Sequence, residues 1–138
     1  VSTETLRRIG AAMRPPQELF RRTGGTHAAA LFDASGRLVL VREDVGRHNA
    51  LDKVVGHLVL HGRDGASLGA FLSGRTSLEM VLKAARGGVA LLASVSAPTT
   101  AAVDAADRLG ITLCAFVRPS GLSVFTHERR IADCPPPA

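Results

Sequence analysis

The chain has 138 residues, 46% of them apolar, with 14 glycines and 7 prolines, a length that suits one domain burying roughly two-thirds of the surface its unfolded form exposes. A formal net charge of +5 and a sequence pI of about 10.5 favour an anionic partner such as phosphate, but there is no Trp or Tyr and only five Phe, which removes most of the stacking surface that single-stranded nucleic-acid binders use and disfavours nucleic acid. The longest apolar run, 89–93, is far shorter than the ~20 residues of a membrane span, and two cysteines without a C-x-x-C give no disulfide framework, so a soluble chain in a reducing cytoplasm is expected, with no membrane role.

Thr3 to Met13 is predicted to be a helix with Leu6, Ile9, Ala12 and Met13 on one face, stopped by Pro15 and Pro16. A short helix over 17–22 leads into TGGTH (23–27), whose paired glycines permit backbone conformations other residues resist. Two β-rich runs, 28–32 and 38–41, are separated by the turn signal Asp33-Ala34-Ser35-Gly36 and predict a hairpin. Next comes EDVGRHNALDKVVG (43–56), a polar turn that becomes a helix with Leu51, Val54, Val55, Leu58 and Val59 at helical spacing.

From there helix and strand alternate: helix 48–61, strand 69–73, helix 77–86, strand 89–94, helix 99–109, strand 112–117. That order is βαβ logic with right-handed crossovers. Thr76 and Glu79 have the spacing of a capping box, and Gly87 and Gly110 suit helix ends. A last strand over 122–125 pairs back through Pro119-Ser120-Gly121. One domain over 1–131 and a disordered tail over 132–138 are expected.

This topology places the second, third and fourth strands parallel, with their carboxyl ends on one edge of the sheet. EDVGRH, SGRTS (73–77) and SVSAPT (94–99) follow those ends, and the hairpin returns TGGTH to the same edge. Ligands of open α/β sheets bind there. Arg47, His48 and Asn49 open a helix whose first N–H groups favour anions, and Gly74 with Arg75 leads into the next helix in the same way. For Arg75 an exposed side chain beside an ordinary cap is an equal reading. Ser94, Ser96 and Thr99 read singly as caps, and Gly24 and Gly25 as turn formers with His27 facing the ligand.

His48 and Asp52 stand one helical turn apart, which suits either acid–base work or a solvated face. His57 and His61 lack the intervening Glu of H-E-x-x-H and a third ligand, so they read as surface histidines and no metal is expected. The element order resembles the cytidine-deaminase fold, whose zinc chemistry needs H-x-E and P-C-x-x-C at the starts of two successive helices. Those places read Arg47-His48-Asn49 and Ser73-Gly74-Arg75, so the zinc reading fails at its ligands. A Rossmann reading fails for want of G-x-G-x-x-G after a strand.

TGGTHAA (23–29), EDVGRHNALDKVVG (43–56), SGRTSLEMVLKAA (73–85), SVSAPTTAAVDAA (94–106) and GITLCAFVR (110–118) resemble, in order, the successive motifs of the FdhD family of formate dehydrogenase accessory sulfurtransferases. The resemblance runs from Val1 to about Ile131. It implies an α/β, cytidine-deaminase-like three-layer sandwich without zinc, its mixed sheet built from a β-hairpin followed by parallel βαβ units. It further implies a cytoplasmic homodimer that receives sulfur from a cysteine desulfurase. The sulfur passes to the bis(molybdopterin guanine dinucleotide) molybdenum cofactor destined for formate dehydrogenase, for which GDP is a mimic.

The expected cofactor-binding residues are Gly24, Gly25, His27, Arg47, His48, Asn49, Ser73, Gly74, Arg75, Ser77, Ser96 and Thr99. The resemblance alone adds Phe116, Val117, Arg118, Pro119, Ser120 and Gly121. The family's persulfide cysteine sits in a C-x-x-C loop that is not found in this sequence. Cys114 lies in an apolar strand and Cys134 in a Pro-rich tail, so neither is a convincing substitute. No catalytic residue is therefore expected in this chain, and the persulfide cysteine is expected upstream of Val1. The alternatives are a nucleotide-processing hydrolase or deaminase-like enzyme using His48 and Asp52, and a purely structural dimerisation module.

Overall fold

In the computed structural model, which describes residues 1–135, every predicted helix and strand forms in the predicted order. The elements are α1 (Thr3–Ala12), α2 (Glu18–Thr23), β1 (His27–Phe32), β2 (Leu38–Asp44), α3 (Arg47–Leu60), β3 (Gly69–Leu72), α4 (Leu78–Arg86), β4 (Leu91–Ser94), α5 (Thr100–Arg108), β5 (Thr112–Arg118) and β6 (Gly121–Thr126). A 3₁₀ turn at Glu128–Arg130, which the sequence pattern did not signal, follows β6.

The six strands form one mixed sheet in the order β2-β1-β3-β4-β5-β6. β1 is antiparallel to both β2 and β3, β4 and β5 add in parallel, and β6 closes antiparallel. β2, β3, β4 and β5 therefore share one direction, as the sequence predicts for the first three of them, although β1 lies between β2 and β3. Successive side chains of a strand point to opposite faces, and β1 is buried on both: Ala28, Ala30 and Phe32 face α1, while Ala29 and Leu31 face α3. Its continuous apolar run HAAALF is the signature of a central strand.

Two cores result. On one face Leu51 and Val54 of α3, Met80 and Val81 of α4 and Ala102 of α5 pack on Leu72, Leu92 and Leu113. On the other, Leu6 and Ile9 of α1, with Met13, cover Phe32, Phe71 and Ala93. Gly69 is demanded by this second layer, because a Cβ there would stand 2.2 Å from Phe32 Cζ. Helices thus cover both faces of the sheet, an α/β architecture.

Local capping agrees with the sequence at Thr99, differs at Thr76, and adds a cap at Ser2 that the sequence reading did not name. The Ser2 hydroxyl accepts the Thr5 N–H at 3.1 Å to start α1, and Thr99 accepts the Ala102 N–H at 3.1 Å to start α5. The expected Thr76–Glu79 capping box does not form, because Ser77 is the N-cap of α4. Thr76 is drawn instead into a bridge with Pro98, its N–H donating to Ala97 O at 3.1 Å and its carbonyl accepting the Thr99 N–H at 3.0 Å.

Part of the tail expected to be disordered is tied to α1. Asp133 accepts the Thr3 N–H at 2.8 Å and the Thr3 hydroxyl at 2.6 Å, and the Ala132 N–H donates to Val1 O at 2.9 Å. Residues 136–138 of that tail lie outside the described residues. Among the described residues no helix is long and apolar enough to cross a membrane.

Candidate functional site

The carboxyl ends of β2 to β5 and the amino ends of β1 and β6 share one edge of the sheet. Six strands at ~4.8 Å spacing make that rim about 24 Å long. The predicted site residues lie along it: Arg47, His48 and Asn49 beyond β2; Gly24, Gly25 and His27 before β1; Ser73, Gly74, Arg75 and Ser77 beyond β3. Ser96 and Thr99 follow β4, and Phe116 to Gly121 join β5 to β6. A rim this long exceeds any mononucleotide, and the structure divides it into distinct parts.

One part is a cavity of about 860 Å³ on the α1 side. Gly24, Gly25, His27 and Ser73, four of the expected cofactor-binding residues, line it together with Phe71 and Val95. The opposite wall, formed by Gly10, Met13 and Arg14 at the end of α1 and by Phe20 and Arg21 of α2, was not anticipated. Gly10 carried a signal: glycine inside a helix marks close packing, and a Cβ there would meet Phe71 Cζ at 3.2 Å. Ser73 serves the frame rather than the cavity, since its hydroxyl accepts the Ala28 N–H at 2.8 Å.

Sequence reasoning also missed Glu43. Its carboxylate takes the Leu19 N–H at 2.9 Å, the Phe20 N–H at 2.8 Å and the Thr26 hydroxyl at 3.0 Å. Burial pushes its pKa up, but the Leu19 and Phe20 amides, the Thr26 hydroxyl and the Arg21 charge together hold it below its ordinary value. The carboxylate therefore stays ionised and fixes α2 beside the cavity.

A second part centres on Gly74. A Cβ at this position would lie 3.0 Å from His27 Nδ1 and 3.8 Å from Arg47 Cδ, so a bare backbone separates the two predicted side chains. Arg47 Nε and Thr76 Oγ1 are buried there without a protein partner, while the Ser77 hydroxyl sits beside the Glu79 carboxylate, which the Glu79 backbone amide and then Ser77 hold below its ordinary value. Buried polar atoms are normally paired, and two orphans at the starts of two helices are candidate contacts for a polar ligand. Arg75 is exposed beside them and, among the described residues, forms no ion pair.

Other predicted members of this group are already engaged. Asn49 Nδ2 donates to Asp44 Oδ1 at 3.3 Å, and the same oxygen takes the Gly46 N–H at 3.0 Å. Lys53 Nζ pairs with Asp44 Oδ2 at 2.9 Å. The Gly46 amide first, then Lys53, hold the Asp44 carboxyl below its ordinary value. Asn49 thus builds the turn that presents Arg47. Asp52 pairs with Lys83 Nζ at 2.9 Å rather than with His48, so the orienting carboxylate of the hydrolase reading is committed elsewhere.

At the far end of the rim Phe116 adopts φ +53°, a left-handed conformation in a non-glycine residue. The β5–β6 register shifts between Ala115 and Arg118, and this bulge puts Val117 on the same face as Cys114 while leaving Phe116 42% exposed. The Phe116 N–H donates to Ser96 O at 3.3 Å, which joins two predicted segments. Arg7 Nη1 donates to Pro119 O at 3.1 Å and ties the loop to α1. Arg118 and Ser120 are exposed, and the Thr99 hydroxyl accepts the Ala102 N–H as the cap of α5.

The sequence profile of the FdhD/NarQ family matches residues 1–132. The chain belongs to that family. Over 131 residues it is 47% identical to the sulfur carrier protein FdhD of Thermoplasma acidophilum, covering 95% of this chain and 46% of that relative. A crystal structure of a formate dehydrogenase accessory protein from Desulfotalea psychrophila superposes with a TM-score of 0.87 at 34% identity, over 95% of this chain and 58% of that one. A protein crystallised with 2,6-diaminopurine shares the fold alone, with a TM-score of 0.64 at 14% identity over 85% of this chain and 76% of that one. The chain spans about half the length of the curated relatives it matches.

The fold encloses one of the two thiols of this family member, Cys114, and leaves Cys134 partly exposed. Burial pushes the Cys114 thiol up to about 12, and Cys134 is half-buried against the α1-side core. Among the described residues no three His, Cys, Asp or Glu side chains gather in a metal-binding cluster. The His57 and His61 rings stack 4.1 Å apart, and His61 Nδ1 meets His57 O at 2.9 Å.

Proposed function

We propose that this chain is the cofactor-binding portion of a sulfur carrier, in which a guanine-dinucleotide molybdenum cofactor lies along the rim to be sulfurated for formate dehydrogenase. The observation that carries this reading is the pairing of an apolar cavity with a polar, unsatisfied neighbour across Gly74. The cavity volume of about 860 Å³ suits a planar heterocycle with room for its linkage. Arg47, Arg75 and the amides at the start of α4 are donors that suit a pyrophosphate, Arg for its bidentate geometry and the helix end for its dipole. The +5 charge of the chain favours the approach of such an anion.

In this reading the fold is a cytidine-deaminase-type sandwich that has exchanged zinc chemistry for anion binding. Arg47-His48-Asn49 and Ser73-Gly74-Arg75 occupy the two helix starts where zinc ligands would stand. With Cys114 held protonated, no sulfur-bearing step is assigned to the thiols of this chain, and the persulfide is supplied by a cysteine outside these residues. A cysteine desulfurase as sulfur source, formate dehydrogenase as recipient, a homodimeric assembly and a cytoplasmic setting complete the proposal.

GDP titrated calorimetrically into the folded protein tests it. Binding is expected, with Arg75→Ala weakening it about tenfold, the worth of one charge-assisted hydrogen bond of about 1.5 kcal/mol. Absence of GDP binding by correctly folded protein would refute the reading.

A further inference from the structure

α2 (Glu18–Thr23) walls the rim cavity through Phe20 and Arg21, yet none of its side chains is buried, and Leu19 and Phe20 are each 47% exposed. A helix of six residues is too short to persist on its own propensity. It lacks a side-chain cap, because Gln17 at its N-cap position directs its amide elsewhere, Nε2 donating to Met13 O at 3.0 Å. Among the described residues, the hydrogen bonds that tie α2 to the rest of the fold end on one group, the Glu43 carboxylate, which takes the Leu19 and Phe20 amides.

The flanks of α2 are built for movement about fixed points. On one side Met13 and Gln17 are buried, with Pro15 and Pro16 exposed between them. On the other, Gly24 at φ +66° and Gly25 are exposed before β1 begins at His27. The same carboxylate also accepts the Thr26 hydroxyl, so one side chain secures both the helix and its exit turn.

We propose that α2 is a hinged flap over the rim cavity and that Glu43 is the positioning residue that latches it, closing Phe20 and Arg21 against a bound planar heterocycle. Only the identity of the ligand rests on the function proposed above; the latch does not. Opening between Pro16 and Gly24 uncovers only the remaining part of Leu19 and Phe20, since each is already 47% exposed. Release also requires the Leu19 and Phe20 amides to leave the Glu43 carboxylate for water.

Amide hydrogen exchange and stopped-flow GDP binding on the intact protein test the proposal, comparing the native chain with Glu43→Ala and Glu43→Gln. Exchange at Leu19 and Phe20 is expected to accelerate at least tenfold in Glu43→Ala, and less in Glu43→Gln, which keeps one acceptor oxygen. Exchange at Ala30 and Phe71 in the sheet should stay unchanged. GDP association and dissociation rates should both rise in Glu43→Ala, a signature that mere loss of folded protein does not produce. Unchanged exchange at Leu19 and Phe20 overturns the latch, as does equal acceleration throughout the sheet in both variants. If exchange accelerates locally but the native protein binds no GDP, the flap stands and the cofactor reading falls.

Discussion

Two glycines at opposite ends of β3 separate packing from function. Alanine at position 69 would place its Cβ 2.2, 2.5 and 2.8 Å from three atoms of the Phe32 ring, which is 1% exposed and enclosed by α1. Overpacking of this kind costs about 3 kcal/mol, the upper end of the usual range, since the ring has nowhere to retreat. At roughly 3 °C per kcal/mol for a domain of this size, Gly69→Ala should melt about 9 °C lower. Position 74 differs. Its Cβ would stand 3.0 and 3.3 Å from His27 Nδ1 and Cε1, but His27 is half-exposed at the rim and can give by a few tenths of an ångström. The lost chain entropy of glycine returns about 0.4–1 kcal/mol, so the melting point should stay within about 3 °C. The new methyl nevertheless stands between His27 and Arg47, and a tenfold loss of GDP affinity, about 1.4 kcal/mol, is expected. Thermal melts by circular dichroism paired with calorimetric titration decide the matter. If Gly74→Ala melts as low as Gly69→Ala, or binds GDP as the native protein does, Gly74 is a packing glycine and the site has been misplaced.

Asp33 at the β1–β2 turn should titrate at about 2 by NMR, because the Ser35 hydroxyl and the Arg37 backbone amide hold its carboxylate; its pKa is lowered from 3.8, so its contribution is complete above that value and disappears as pH falls toward 2. A titration midpoint near 3.8 would refute the turn geometry. A thiol-reactive disulfide reagent at neutral pH should label Cys134 in the native protein and Cys114 only after denaturation, since Cys114 is fully buried with its thiol pushed up to about 12; rapid native labelling of both would contradict the packing of β5.

Elements with a long apolar period were legible in the sequence, and so was the convergence of the site segments, because parallel strands of βαβ units deliver all their strand-to-helix loops to one edge. α2 was placed but its role was not, since Leu19 and Phe20 are only half covered and the residue that secures their amides lies more than 20 positions away in Glu43. The bulge at Phe116 was equally hidden. In the run LCAFV a regular strand would put Leu113, Ala115 and Val117 on one face, and only the left-handed φ of Phe116 moves Val117 to the side of Cys114.

The larger gap concerns which polar residues are available to a ligand. Asn49, Ser73 and Thr99 were reasonable contacts by position, yet Asn49 donates to Asp44 and the Ser73 and Thr99 hydroxyls accept the Ala28 and Ala102 amides, which fixes all three to the frame while each hydroxyl keeps its own proton to donate. Sequence proximity cannot distinguish a donor that builds the loop from one left over, because both are polar, local and near a helix start. Setting aside the groups that build the frame leaves Arg47, Arg75 and the bare backbone of Gly74 on one side of His27, and the apolar cavity on the other. That remainder has the polarity of an anion attached to a planar ring, a narrower demand than the whole rim made, and one that a mononucleotide probe can meet.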